Sequence, residues 1–287
     1  MKKLKHHLEY YLFLYFLLIF KGLPYKLASY LGGFLARGMG PIFAAQRVMR
    51  KNLQKIYPQL TRQDVAQLSS KVWENLGRNF AEFPHLAALS PAELQHKVAI
   101  KGEKNATKFL KSKKPVIFFT AHFGNWELCN ILLESYGFKM NTIYRPANNL
   151  LVDKKVNKLR SAGRNITMYK KGSKDALNFV KALKKGEAGG VLIDQKYSEG
   201  ELLDFMGHPA YSSLFTASLA KKYDIPLVPM FVTREAEELT VHIEKPITAK
   251  DFKDLSDQEL IEHLNKVIES WVNRYTDHWF WVHNRWG

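Results

Sequence analysis

A single cysteine, Cys129, stands in 287 residues, which excludes an intramolecular disulfide and any cysteine-cluster metal site. No apolar run is long enough to cross a bilayer unaided. Tyr10 to Phe20 is free of charge, but eleven residues rise only ~16 Å as a helix against a hydrocarbon core of roughly 30 Å. No small-x-small cleavage site follows that run, so it does not read as a removed signal peptide. Internal repeats, low-complexity linkers and an internal boundary signal are also missing. Acidic residues are scarce: 27 Asp and Glu against 43 Lys and Arg leave a net charge of +16. Such a surface draws anionic lipid, nucleic acid, phosphorylated glycolipid or an acidic carrier protein alike, so charge by itself chooses no partner.

What is present is a globular composition, 46% hydrophobic and 24% charged, which excludes wholesale disorder. The basic start Met1-Lys2-Lys3-Leu4-Lys5 leads into the aromatic-rich run and Lys21 closes it, the pattern of a headgroup-level helix on the cytoplasmic side of a membrane. Residues 1–22 are therefore expected to be a membrane anchor or interfacial helix, and 23–90 a helical lead-in. Within the lead-in, Pro24 can open a helix, Arg47, Arg50, Lys51 and Lys55 form a basic stretch, and Thr61-Arg62-Gln63-Asp64 resembles a capping box. Val65, Leu68, Val72, Leu76 and Phe80 follow it at helical spacing.

From Ser90-Pro91-Ala92-Glu93 onward, short apolar runs alternate with helix-sized stretches. The runs 98–100, 116–120, 140–144, 166–169, 191–193, 227–232 and 239–243 are the candidate strands. This pattern predicts an α/β fold over 91–287, a mixed and largely parallel central sheet flanked by helices, with ligands beyond the carboxyl ends of the strands. Ser256-Asp257-Gln258-Glu259 caps a last helix with the stripe Leu260, Leu264, Val267, Ile268, Trp271 and Tyr275. A tryptophan-rich segment, Trp279 to Trp286, ends the sequence.

Chemistry concentrates at Ala121-His122-Phe123-Gly124-Asn125-Trp126-Glu127, between an apolar strand and a helix-like stretch. Along one helix, five residues turn through about 500°, so His122 and Glu127 meet only if the histidine precedes the helix and folds back. Gly124 permits the turn and Asn125 can cap the helix. Glu127 can then accept a hydrogen bond from the imidazole, leaving the other ring nitrogen to take a proton from an alcohol that attacks a thioester. Taken alone, His-x-x-x-x-Glu is a weak signal. Cys129, beside Leu128, Ile131 and Leu132, reads as core rather than as a thiol nucleophile.

The segment Phe118 to Leu128 resembles the signature of the lipid A biosynthesis late acyltransferases, the lauroyl and myristoyl transferase family. Further blocks match in order: Arg50-Lys51-Asn52-Leu53 with Tyr57-Pro58, Tyr144-Arg145-Pro146, Asn149 to Asp153, Lys181 to Glu187, Ile193-Asp194-Gln195 and Trp281 to Trp286. The resemblance implies acyl transfer from acyl carrier protein or coenzyme A to a hydroxyl of a phosphorylated lipid A precursor, at the cytoplasmic face of the inner membrane. It requires no metal or other cofactor. It implies His122 and Glu127 as the dyad, with Arg160, or Arg164 one turn on, and Asp194 in the site. Arg145, His283 and Arg285 are further candidates for holding phosphate or an oxyanion. Two departures are Lys196, where an acidic residue is common, and serines for threonine in the Pro209 to Ser213 block. The expected partners are acyl carrier protein, the glycolipid and an anionic membrane surface, with no nucleic acid. The competing readings are an acyltransferase for another glycolipid, such as a mannosylated phosphatidylinositol, and a non-enzymatic binder of anionic lipid or nucleic acid.

Overall fold

The computed structural model describes residues 2–112, 114–172 and 174–287; Met1 of the expected anchor lies outside them. The lead-in consists of α1 (Lys2–Gly22), α2 (Tyr25–Met39), α3 (Ala45–Ile56) and α4 (Arg62–Leu86). Next come α5 (Pro91–Lys97), β1 (Val98–Lys101), α6 (Lys104–Thr107), β2 (Val116–Thr120), α7 (Glu127–Ser135) and β3 (Met140–Tyr144). They are followed by α8 (Leu150–Ser161), β4 (Ile166–Lys170), α9 (Lys174–Lys184), β5 (Ala188–Leu192), β6 (Glu201–Phe205) and β7 (His208–Ser212). The chain closes with α10 (Phe215–Tyr223), β8 (Leu227–Glu235), β9 (Glu238–Ile243), α11 (Ala249–Phe252) and α12 (Asp257–Arg274). Thr61, Ser90 and Ser256 each cap a helix and form capping boxes with Asp64, Glu93 and Glu259. Each such cap contributes about 1 kcal/mol.

The described residues form a seven-stranded sheet in the order β1-β9-β8-β2-β5-β3-β4, parallel throughout except where β8 meets β9. This is the mixed, largely parallel sheet flanked by helices that the alternation of apolar runs implies. β2 lies at its centre and is buried at all five positions. Ile117 and Phe119 face a core with Phe179 of α9 and Ile268 and Trp271 of α12. Val116 and Phe118 face the opposite core, with Leu128, Ile131 and Leu132 of α7. Burial on both faces is why β2 reads as an unbroken apolar run rather than an alternating one.

Two features depart from the sequence expectation. β5 begins at Ala188, three residues before Val191, because Gly189 and Gly190 sit inside the strand although a glycine pair reads as a turn. A Cβ on Gly190 would lie 2.5 Å from Asn130 Oδ1, so only glycine lets α7 approach the sheet there. The second is the hairpin of β6 and β7, an unexpected antiparallel pair turning at Met206-Gly207, both at positive φ (55° and 74°). It rests on α12, where the Asn265 amide donates to Asp204 O at 2.8 Å.

Helix α1 lies along the body. Leu17 and Phe20 are buried, His85 Nε2–H donates to Phe20 O at 2.7 Å, and Asn149 donates to His6 O and Glu9 Oε2 at 2.8 and 2.9 Å. Its outer side exposes Leu4, Leu8, Tyr11, Leu12, Tyr15 and Leu18, and α2 continues that face with Leu27, Tyr30, Phe34 and Leu35. Among the described residues no helix is long and apolar enough to cross a membrane.

Candidate active site

Between the end of β2 and the start of α7 the chain turns at Gly124, whose φ is +52° and whose missing Cβ would lie 1.9 Å from Val232 O. No other residue fits there without displacing β8. The turn is held on two sides. From the carboxyl-terminal segment, Gly124 N donates to His278 O at 2.8 Å and Phe280 N donates to His122 O at 2.9 Å. From α4, Asn79 donates to Gly124 O at 2.6 Å. Asn125, expected to cap α7, instead donates its amide to Glu82 Oε2 at 2.8 Å. Glu82 is fully buried and accepts two contacts of 2.8 Å from the Arg234 guanidinium and a further bond of 2.6 Å from Ser29 Oγ on α2. The buried carboxylate thus has enough donors to offset its desolvation, and the lead-in helices fix the turn after β2 through it.

The imidazole finds its partner across the sheet. β2 and β5 are parallel with Thr120 opposite Leu192, so His122 and Asp194 each stand two residues past a paired position. His122 Nδ1 lies 2.8 Å from Asp194 Oδ1, the His122 amide donates to Oδ2 at 2.9 Å, and Trp279 Nε1 donates to Oδ2 at 2.9 Å. Burial pushes the Asp194 carboxyl up, but the facing imidazole and these donors outweigh it and hold the group below the ordinary aspartate value. A carboxylate only accepts, so Nδ1 carries the hydrogen and Nε2 presents its lone pair. The Gln195 amide donates to that Nε2 at 3.2 Å. The ring is boxed by Trp126 and Phe280, with centroids 5.1 and 5.7 Å away.

The expected hydrogen bond between His122 and Glu127 is not the one the structure forms. Glu127 opens α7 and its carboxylate is held by Arg160 of α8, with Nε donating to Oε2 at 2.9 Å and Nη2 to Oε1. The shared strand register offers the imidazole a nearer carboxylate, and a guanidinium engages both oxygens of Glu127 at once. His122, Trp126, Glu127, Arg145, Arg160, Lys171, Gln195 and Tyr197 line one cavity of about 490 Å³. It continues between α7 and the sheet past Phe118, Cys129, Leu133, Met168 and Met230.

The model of a family described as bacterial lipid A biosynthesis acyltransferase matches residues 1–287. The chain belongs to this family. It is an acyltransferase of the lipid A biosynthesis type. Among curated relatives, a lipid A biosynthesis acyltransferase of Haemophilus influenzae (strain Rd) is 25% identical over 278 residues, covering 94% of this chain and 84% of the relative. A lipid A biosynthesis palmitoleoyltransferase of Escherichia coli K12 is 22% identical over 282 residues, covering 92% and 86%. Of solved structures, the 1-acyl-sn-glycerophosphate acyltransferase PlsC of Thermotoga maritima aligns with a TM-score of 0.42 and 15% identity, over 88% of this chain and 97% of that one.

In this acyltransferase the other residues singled out from sequence divide into two groups. Arg145 and Arg160 stand in the cavity with His122. Arg164, His283 and Arg285 do not line it. Arg164 is turned away to Glu134 Oε2 at 3.1 Å and to the Leu89 carbonyl at 2.5 Å. Arg285 is fully buried, donates to Tyr211 O and Ser212 Oγ, and lies 5.0 Å from the Phe205 ring centroid. His283 accepts the Lys196 N–H at 2.9 Å. All three are thus engaged by polar groups of the protein. Burial raises the Cys129 thiol to about 12, so it stays protonated at neutral pH and is no nucleophile. Lys171 and Tyr197 join the cavity without a sequence prediction, and Trp279 reaches the site through its bond to Asp194. Gln195 was visible only as the neighbour of Asp194.

Proposed function

We propose that this acyltransferase moves a fatty acyl chain from acyl carrier protein, or from coenzyme A, to a hydroxyl of a phosphorylated lipid A precursor, with His122 as general base. The polarity of the imidazole carries this reading: Nδ1 is tied to Asp194 while Nε2 faces the cavity. The acceptor hydroxyl replaces the Gln195 amide at Nε2, gives up its proton there, and its oxygen attacks the thioester carbonyl. The tetrahedral intermediate then breaks its C–S bond, and the leaving sulfur takes the proton from the imidazolium. A thioester is already activated, so the step needs no cofactor.

Asp194 keeps Nδ1 protonated and stabilises the imidazolium that exists only along the reaction. Glu127 holds Arg160 with Nη1 unengaged among the described residues, so the guanidinium has a donor left for the oxyanion. The apolar branch between α7 and the sheet suits the acyl chain. The +16 charge favours a donor with an acidic surface and a phosphorylated acceptor. The exposed apolar face of α1 and α2, edged by Lys21, Lys26 and Arg37, supports a seat on the cytoplasmic face of the inner membrane without spanning it.

The test is mass spectrometry of a phosphorylated lipid A precursor incubated with the purified enzyme in detergent and acyl donors of several chain lengths. A gain of one acyl group from either donor bears the proposal out. No gain with any donor contradicts it.

A further inference from the structure

β3 and β4 end side by side: Tyr144 pairs with Lys170, and the Lys171 amide donates to Tyr144 O at 2.8 Å. The next residue beyond β3 is Arg145, so Arg145 and Lys171 emerge together, and both line the cavity that holds His122. Of the other cations around the site, Arg160 has Glu127, Arg164 has Glu134 and Arg234 has Glu82 as carboxylate partners, while Lys196 donates to the Gly287 carbonyl. Among the described residues neither Arg145 nor Lys171 is ion-paired. Lys171 is partly buried with Nζ 3.7 Å from the centroid of the Tyr197 ring. Glu199, whose carboxylate accepts from Tyr197 OH at 3.1 Å, is the acid facing the lysine. It does not offset the effects of burial and of Arg145, which together depress the ammonium to about 8. Two like charges brought together at a partly desolvated cavity wall oppose folding and are balanced when an anion binds between them.

We propose that Arg145 and Lys171, with Tyr197 as the platform under the lysine, form a binding site for a phosphate group of a substrate. This rests on the acyl-transfer reading for the identity of the substrates and goes beyond it in assigning the site. Two sources share that chemistry: the sugar phosphate of the acceptor, and the phosphate on the pantetheine arm of the donor. Arginine supplies a planar fork and the lysine a point charge, so together they match a tetrahedral anion from two directions.

Steady-state kinetics on wild type, Arg145→Gln, Lys171→Gln and Lys171→Arg test it, using a phosphorylated and a dephosphorylated lipid A precursor. Wild type should show a KM at least ~10-fold lower for the phosphorylated acceptor, a preference set by charge-assisted hydrogen bonds. Both glutamine variants should bring the two KM values together, and Lys171→Arg should restore the separation. If the phosphate is the donor's, the same variants raise KM for the acyl donor, and an acyl-pantetheine lacking the phosphate abolishes the difference. As pH rises through 8, wild type should lose the preference while Lys171→Arg keeps it. Calorimetric binding of the phosphorylated precursor in detergent micelles, without donor, reads the site independently of turnover. If turnover is absent but this binding weakens at least ~10-fold in Lys171→Gln, the acyl-transfer reading fails and the anion site stands. Unaltered KM values for both substrates, or unaltered micelle binding together with an unaltered donor KM, overturn the site.

Discussion

Replacing Asp194 by asparagine separates the hydrogen-bond partner found in the structure from the one expected at Glu127. The carboxylate accepts from His122 Nδ1, His122 N and Trp279 Nε1 at 2.8, 2.9 and 2.9 Å, and is 1% exposed. An amide of the same shape has one acceptor oxygen, so a donor must meet its NH₂ group. If that donor is Nδ1–H, the ring changes tautomer and Nε2 loses the lone pair that takes the acceptor's proton. The lost charge matters as well. At a charge separation of about 4 Å and an effective dielectric of about 20, the carboxylate stabilises an imidazolium by about 4 kcal/mol. That is roughly 10³ in rate, and it acts on the transition state because a general base becomes charged only as it takes the proton. We expect Asp194→Asn to lower kcat by about 10²–10⁴ with the acceptor KM changed far less. Initial rates with a radiolabelled acyl donor, beside a thermal melt, give the answer. A kcat within threefold of wild type at an unchanged melting temperature refutes the reasoning, and the same loss appearing in Glu127→Gln instead restores Glu127 as the orienting acid.

Other outcomes follow from the same packing. Glu82→Gln leaves the buried Arg234 charge unmatched behind the His122 turn and should destabilise the fold by about 3–5 kcal/mol, read from denaturant unfolding in detergent; a loss under about 1 kcal/mol is inconsistent with a carboxylate carrying that network. His283 and His242 are pushed down to about 4, chiefly by burial. The unfolded chain binds those protons near 6.5, so stability should be full above pH 6.5 and fall as pH drops toward 4. Melting temperature against pH checks this, with a flatter profile in His283→Gln; an identical profile removes His283 from the account. Deleting residues 1–22 should leave part of the protein on anionic vesicles, because α2 keeps Leu27, Tyr30, Phe34 and Leu35 exposed. Adding Tyr30→Ser and Phe34→Ser should release that remainder, and full release by the deletion alone assigns the binding to α1.

How much of this was legible beforehand depended on how local each feature is. The capping boxes at Thr61, Ser90 and Ser256, the apolar run of β2 and the turn at Gly124 depend on residues close in sequence, and the structure forms all of them. The partner of His122 is 72 residues away and follows from β2 lying beside β5, a choice of strand order that no local pattern encodes. The same applies to Lys171, which joins the cavity only because β4 pairs with β3. Only the end of β5 reads as a strand from sequence, because its glycines serve close packing rather than a turn. The β6–β7 hairpin mixes Glu201, Asp204 and His208 into its strands and turns on Met-Gly, a weaker hairpin signal than Asn-Gly.

General-base catalysis by His122 requires Nε2 to take the proton of an acceptor hydroxyl during acyl transfer. Its most direct test is the turnover of His122→Ala on the lipid A precursor with acyl carrier protein as donor, in detergent, beside the melting temperature of the same preparation. Turnover should fall at least ~100-fold with the fold intact, and turnover within a few-fold of wild type would rule out His122 as the base.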